Sequence, residues 1–375
     1  MTSQAFELAR LGNAYSDGAL SHRNMIINGA MQVAQRGTSA SVSDGTNEGY
    51  QTLDRWRFNY GNNAGGACTV SQDTDVPSGY GFSNSYKVDV TTADTSIAST
   101  HHILFGQRIE AQDLRNSGWN YTSSSSYLTL SFWIKSNKTG VYCVSANLPD
   151  VGGTFRFVKE VTINSASTWE YKTVKIFGDS SAVINNDNGL GMDLEWNLVT
   201  ATDRDNATDN AWHTADGSRC TSNQVNFFDS TSNNLWITGV QLEVGDTDTP
   251  FEHRSYSDQL QACQRFFHRI GGSTGSGLYD AVGAGVVVTG TTGYVNVPLK
   301  VQMRAKPSVT FTGTLSMHTG VTAPDLDNSN FSNYLDKNGG LLAPIRNGGS
   351  ALTTGNGLIL YCQNTADSAD FDAEL

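Results

Sequence analysis

The sequence predicts an all-β protein: a two-sheet jelly-roll sandwich, then a short axial helix and a smaller C-terminal β domain. Three observations carry this. Apolar residues alternate with polar ones in segment after segment between residues 56 and 242. Gly, Ser, Thr and Asn are abundant, while charged residues make up only 16% of the chain, a mixture that favours short strands joined by polar loops. A period of three to four residues appears convincingly in one place, between Arg254 and Ile270.

Residues 1–23 read as an N-terminal arm. Phe6, Leu8 and Leu11 lie on a short helical or irregular segment that Thr2 or Ser3 caps. A weakly apolar arm outside a domain packs either on a partner or back on its own domain. No run resembles a secretory leader or a membrane span of about 20 apolar residues, so neither is expected.

From 24 to 254 the strand signals are dense. Met25–Ile27 leads in, and residues 56–60, 67–72 and 86–90 follow. Leu128–Ile134 is nearly continuous, and residues 141–146, 155–158, 171–176, 192–198 and 235–242 complete the set. Strands with one apolar face bury that face against a second sheet, and so many without intervening helices form a sandwich.

Residues 255–270 read as one helix, with Tyr256, Leu260, Cys263, Phe266, Phe267 and Ile270 in a stripe, Ser257 as cap and Gly271-Gly272 as stop. The expectation is a trimerisation helix on a three-fold axis, with Tyr256, Leu260, Cys263, Phe266 and Phe267 as contacts; the alternative is a helix on its own sandwich. Residues 271–375 form the distal β domain. Its strand candidates are 283–288, 294–299, 308–312 and 357–361, with Ser316–Ser350 as a long loop.

Two blocks of sequence carry a resemblance. The first is Asn24-Met25-Ile26-Ile27-Asn28-Gly29, then Gln35-Arg36-Gly37-Thr38, then Asp54-Arg55-Trp56. The second is Val240-Gln241-Leu242-Glu243-Val244-Gly245, running to Arg254. Together they resemble the fibre and receptor-binding proteins of tailed bacteriophages. The resemblance covers about 24–269, with a weaker echo in Met303–Pro307 and Asp372–Leu375. It implies a virion protein assembled in the host cytoplasm, a homotrimer, docking to a phage tail or adaptor through Phe6, Leu8 and Leu11, and attachment to host surface polysaccharide. The sandwich is expected to be similar to carbohydrate-binding modules.

The net charge is −12, and no Lys/Arg cluster marks a nucleic-acid interface. An anionic membrane is equally unsuited as a partner. Cys68, Cys143, Cys220, Cys263 and Cys362 are widely spaced and odd in number, so buried free thiols are expected rather than a disulfide framework or zinc site.

No enzyme is expected. There is no nucleophile elbow, and adjacent His101 and His102 point to opposite faces of a strand. Asp193 and Glu195 share one strand face, about 7 Å apart by strand rise. That spacing permits glycan hydrolysis, but a solvated polar face gives it equally. Glu110, Glu243, Asp54, Arg55 and Arg36 read as an ion-pair network holding strand ends. A structural calcium is the sharper alternative; no cofactor is otherwise expected.

Glycan recognition needs an aromatic ring for the sugar's C–H face and polar groups for its hydroxyls. The loop aromatics Tyr80, Trp119, Tyr121, Trp212, Tyr279, Phe331 and Tyr334 are candidates, with Asp325 and Asp327 as polar partners. Trp56, Trp133, Trp169 and Trp236 lie in strands and are expected in the core. The expected function is a non-enzymatic tail fibre binding a host glycan. The alternatives are a structural decoration protein and a glycan-depolymerising tailspike.

Overall fold

A computed structural model describes residues 22–61, 64–272, 280–348 and 351–375. The arm contacts Phe6, Leu8 and Leu11, and the candidate Tyr279, lie outside the described residues. The chain divides into two compact units, Met1–Gln259 with Leu375, and Leu260–Glu374.

The strands of the first unit are β1 (Ser39–Ser43), β2 (Gly49–Tyr50), β3 (Arg57–Gly61), β4 (Ala67–Asp73), β5 (Ser85–Thr92), β6 (His102–Glu110), β7 (Tyr127–Ser136), β8 (Gly140–Asn147), β9 (Arg156–Ile163), β10 (Glu170–Phe177), β11 (Leu190–Thr200), β12 (Ala211–His213) and β13 (Asn234–Val244). They form two antiparallel sheets, a six-stranded one ordered β1-β4-β5-β13-β7-β10 and a seven-stranded one ordered β12-β9-β8-β11-β6-β3-β2. One short helix, α1 (Ala111–Arg115), follows β6. This is the jelly-roll sandwich that the alternation requires. Leu130, Phe132 and Ile134 from one sheet and Leu194, Trp196 and Phe105 from the other fill a single core.

Trp56 sits at the centre of that core, its ring 5.7 Å from Trp196, 6.4 Å from Phe105 and 6.3 Å from Tyr86. Its indole N–H donates to the Asn28 carbonyl at 3.1 Å, so the one polar atom of a fully buried ring is satisfied.

Met25–Ile27 is not a strand. The segment is held by side chains instead. Asn24 Oδ1 accepts from the amides of Ile26 (2.9 Å) and Leu242 (3.0 Å), while its Nδ2 donates to Val240 O (3.1 Å). Asn28 takes a left-handed φ of 60°, donates to Val33 O and Asp54 O, and accepts from the amides of Gln32 and Val33. A Cβ on Gly29 would stand 2.1 Å from Val240 O, so only glycine lets the segment lie against β13. The sequence blocks beginning at Asn24 and at Val240 thus meet in space as a structural clasp.

The second unit contains β14 (Phe267–Gly271), β15 (Ala281–Val287), β16 (Gly293–Pro298), β17 (Ser308–Thr312), β18 (Leu315–His318), β19 (Leu326–Asp336), β20 (Gly339–Arg346), β21 (Gly357–Cys362) and β22 (Ser368–Asp372). A three-stranded sheet, β14-β22-β17, and a six-stranded sheet, β18-β21-β15-β16-β20-β19, share a core that includes Val295, Leu342, Leu360 and Phe371. The expected loop 316–350 therefore carries most of three strands. Its alternation is hidden because β19, an edge strand, turns only Leu326 and Leu335 firmly inward and is otherwise mostly Asn, Ser and Asp.

The helix expected over 255–270 is α2, Tyr256–Gln264. Ser255, not Ser257, closes its start by accepting from the Asp258 amide at 3.2 Å. Phe267 and Ile270 belong to β14, paired with Asp372 and Ala369, so the three-to-four spacing runs on across a helix and a strand. Cys263, Phe266 and Phe267 are buried within the single chain; Tyr256 is exposed.

Candidate functional site

The outer face of the six-stranded sheet gathers the large aromatic side chains. In β7, Leu130, Phe132 and Ile134 point inward, so Trp133 and Lys135 point outward between them. In β13 the same parity turns Trp236 outward between buried Leu235 and Ile237. Trp133, Trp169 and Trp236 are half-buried on this surface rather than in the core; of the four tryptophans expected in the core, only Trp56, just ahead of β3, lies there.

Register aligns these residues into two rows. In the first, Lys87 of β5 faces Trp236 of β13, which faces Lys135 of β7. The Lys87 ammonium is 5.3 Å from the Trp236 ring centre, and Lys135 is 4.3 Å from Trp236 and 5.4 Å from Trp169. Asp75 accepts from the Trp169 indole at 3.0 Å and pairs with Lys135. In the second row, Thr238 faces Trp133, which faces Tyr171 of β10. The rings of Tyr80 and Tyr171 lie 4.3 and 5.2 Å from that of Trp133, and the Tyr171 hydroxyl donates to Asp248 at 3.0 Å.

Tyr80 and Tyr171 are 54% and 41% exposed. The surface therefore offers flat rings beside carboxylates and ammonium groups. Lys135–Asp75 and Lys87–Asp89 each cancel in charge. Such a face can stack on the C–H side of a sugar while its polar rim bonds hydroxyls.

The loop candidates are placed otherwise. Trp119 is buried and donates to Ser126 O. Tyr121 is half-buried beneath the Arg115 guanidinium. Trp212 stacks on Phe155 at 4.7 Å and donates to Phe177 O at 2.8 Å. In the second unit Phe331 packs against Phe311, whereas Tyr334 is 61% exposed. Asp325 accepts from Gln363 and Ser316, and Asp327 from Ser329, all on or beside β19 rather than in a free loop.

Asp193 and Glu195 share the outer face of the seven-stranded sheet, but that face is not solvated there: both are buried. Asp193 Oδ2 accepts from Arg57 at 2.7 Å and Arg108 at 3.3 Å. Arg108 also donates to the carbonyl of Leu375, which groups with this unit. Glu195 Oε2 accepts from Arg219 at 2.8 Å and Ser145 at 3.2 Å. Burial works to raise the Glu195 carboxyl, but Arg219, Arg156 and Arg57 outweigh it and hold it at about 2. Burial, then Glu195, raises the Asp193 carboxyl against the pull of Arg57 and Arg108.

Glu243 is held by its own loop, accepting from Gln241 Nε2 and from the amide and hydroxyl of Thr249. Asp54 accepts from Gln35, and Glu110 from Gln112. His101 faces Asp94, while the His102 ring lies over Gly61. Among the described residues, no three His, Cys, Asp or Glu side chains gather as a metal-ligand set.

No family model and no curated protein matches the chain. Among solved structures it is similar to the enzymatically active domain of tailspike protein 4 of bacteriophage CBA120, at 15% identity over 60% of this chain, with a TM-score of 0.33. That match spans 22% of the tailspike domain. It is also similar to a family 4 carbohydrate-binding module, at 14% identity over 58% of this chain and 98% of the module, TM-score 0.31. A third similarity is to a putative sugar-binding protein from Bacteroides thetaiotaomicron, at 13% identity over 59% of this chain and all of that one, TM-score 0.31.

Proposed function

We propose that this chain is a non-enzymatic virion fibre protein that attaches to a host-surface glycan through the outer face of its six-stranded sheet. The observation that carries the reading is the pair of rows Lys87/Trp236/Lys135/Trp169 and Tyr80/Trp133/Tyr171 on one exposed surface. A sheet that needed only to shield its core has no use for five large rings on its outer side. Lys and Asp residues on the rim suit a ligand with many hydroxyls.

The fibre assignment rests on the resemblance of the two sequence blocks that meet in the clasp around Asn24, Asn28 and Trp56. A homotrimer multiplies weak single-site sugar contacts by avidity. The N-terminal arm is the proposed attachment to the tail or an adaptor.

The test measures solution mass and host-cell binding on one preparation, with competition by purified surface polysaccharide. A trimer that binds cells and is displaced by the polysaccharide supports the reading. Protein that ignores host cells is a spacer or decoration protein. Release of reducing sugar by the wild type would make it a depolymerase.

A further inference from the structure

The outer face of the seven-stranded sheet, away from the aromatic platform, holds a second group of side chains whose bonding is incomplete. Register lines up Arg57, Gly106, Glu195 and Ser145 in one row across β3, β6, β11 and β8. Arg108, Asp193, Asn147 and Arg156 form the next row across β6, β11, β8 and β9. With no side chain on Gly106, Arg57 reaches across to Asp193. The segment 201–226 covers the β8 and β9 side, setting Cys220 and Thr221 on Cys143 and Arg219 on Glu195. On the β3 and β6 side, Asn59 and Arg108 are partly exposed. Asp193, Glu195 and Asn197 are buried between these two sides.

Arg156 is 5% exposed, yet neither its Nε nor its Nη1 donates a hydrogen bond. It shares Glu195 Oε2 with Arg219, from 3.9 Å. Two guanidinium groups thus face one carboxylate oxygen, and Arg219 Nε is also unpartnered. Two buried acceptors are unmet as well, Asp193 Oδ1 and Asn197 Oδ1. Unmet buried polar atoms are costly, above all on a charged group.

We propose that this cluster is a second binding site, for a uronic acid or a similar sugar acid. Its carboxylate would complete Arg156 and Arg219, and its hydroxyls would donate to Asp193 Oδ1 and Asn197 Oδ1. Sulfate brings no donor for those acceptors, and phosphate dianion brings only one for the two. A neutral sugar leaves Arg156 and Arg219 sharing the one Glu195 carboxylate. The partly exposed Asn59 and Arg108 mark the side from which the ligand would enter. This site is separate from the aromatic platform, so either assignment can fail alone.

The experiment is titration calorimetry of the full chain with sodium D-glucuronate and D-galacturonate, with glucose, acetate and inorganic phosphate as controls. Saturable binding of a uronate, at least tenfold tighter than acetate or phosphate and absent for glucose, is the expected result. Arg156→Met is expected to weaken it at least tenfold. Should that variant fail to fold, Asn197→Ala is expected to weaken it several-fold. Trp236→Ala must leave it unchanged. No saturable uronate binding, equal binding of acetate, or loss of binding in Trp236→Ala overturns the proposal. So does a glucuronate-soaked crystal showing only water on Arg156.

Discussion

The Lys135 ammonium lies 4.3 Å from the centre of the Trp236 indole and 5.4 Å from that of Trp169, so one cation bridges two rings on the outer face of the sheet. Contacts of this kind contribute about 0.5–1 kcal/mol each at exposed sites. Their larger role is to hold the indoles flat and in place before a ligand arrives. Lys135→Met is therefore expected to change stability by no more than about 1–2 kcal/mol. It should weaken glycan binding about tenfold, since the rings lose their fixed orientation. Chemical denaturation and a binding isotherm on the same variant check both halves.

The clasp around Asn24 has the opposite character. Its side chain makes three buried hydrogen bonds, two that join the lead-in segment to β13 and one that accepts from the Ile26 amide within the segment. Asn24→Ala removes all three and leaves Leu242 N and Val240 O to find other partners. The expected loss is about 2–4 kcal/mol, from about 1 kcal/mol per bond plus the orphaned groups. Denaturant unfolding is expected to show it as a lower midpoint with an unchanged slope.

Acid should destabilise the first unit in two separable windows. Burial, with Arg219 adding to it, lowers His102 to about 4. Its folded pKa is below the unfolded value of about 6.5, so the unfolded chain takes up the proton first. Stability is fully present above about pH 6.5 and falls as the pH drops toward 4. Glu195, held at about 2, contributes stability above its unfolded pKa of about 4.3, and that contribution is lost as the pH falls through 2. His102→Gln is expected to flatten the upper window and Glu195→Gln the lower one. Melting temperature against pH for the three proteins is the check.

The five cysteines are free and buried. A reducing agent is accordingly expected to leave the melting temperature unchanged. Native protein should resist thiol labelling that the unfolded chain accepts fully. A melting temperature that falls by several degrees in dithiothreitol would reveal a disulfide and refute this.

Much of the architecture is legible in the sequence because it follows from parity. Leu128, Leu130, Phe132 and Ile134 alternate so cleanly that they define β7 by themselves. The same parity assigns Trp133 to the outside with Thr129, Ser131 and Lys135. Ring size argues for the core and parity for the surface; at Trp133 and Trp236 parity wins. Three features leave no such trace. The lead-in segment is held by Asn24 and Asn28 side chains, which have no periodicity. Edge strand β19 needs few inward residues, so its alternation is faint. The placing of Asp193 beside Arg57 and Arg108, and of Glu195 beneath Arg219 of segment 201–226, depends on contacts between residues distant in sequence.

The most direct test of the central claim compares host-cell binding of the wild type with that of a folded Trp133→Ala/Trp236→Ala double variant, in labelled pull-downs with and without purified host polysaccharide. The account predicts that the wild type binds and is displaced by the polysaccharide. It predicts that the double variant, with near-normal circular dichroism, loses at least tenfold in affinity. Equal binding by both proteins would contradict it, because attachment would then lie elsewhere on the chain.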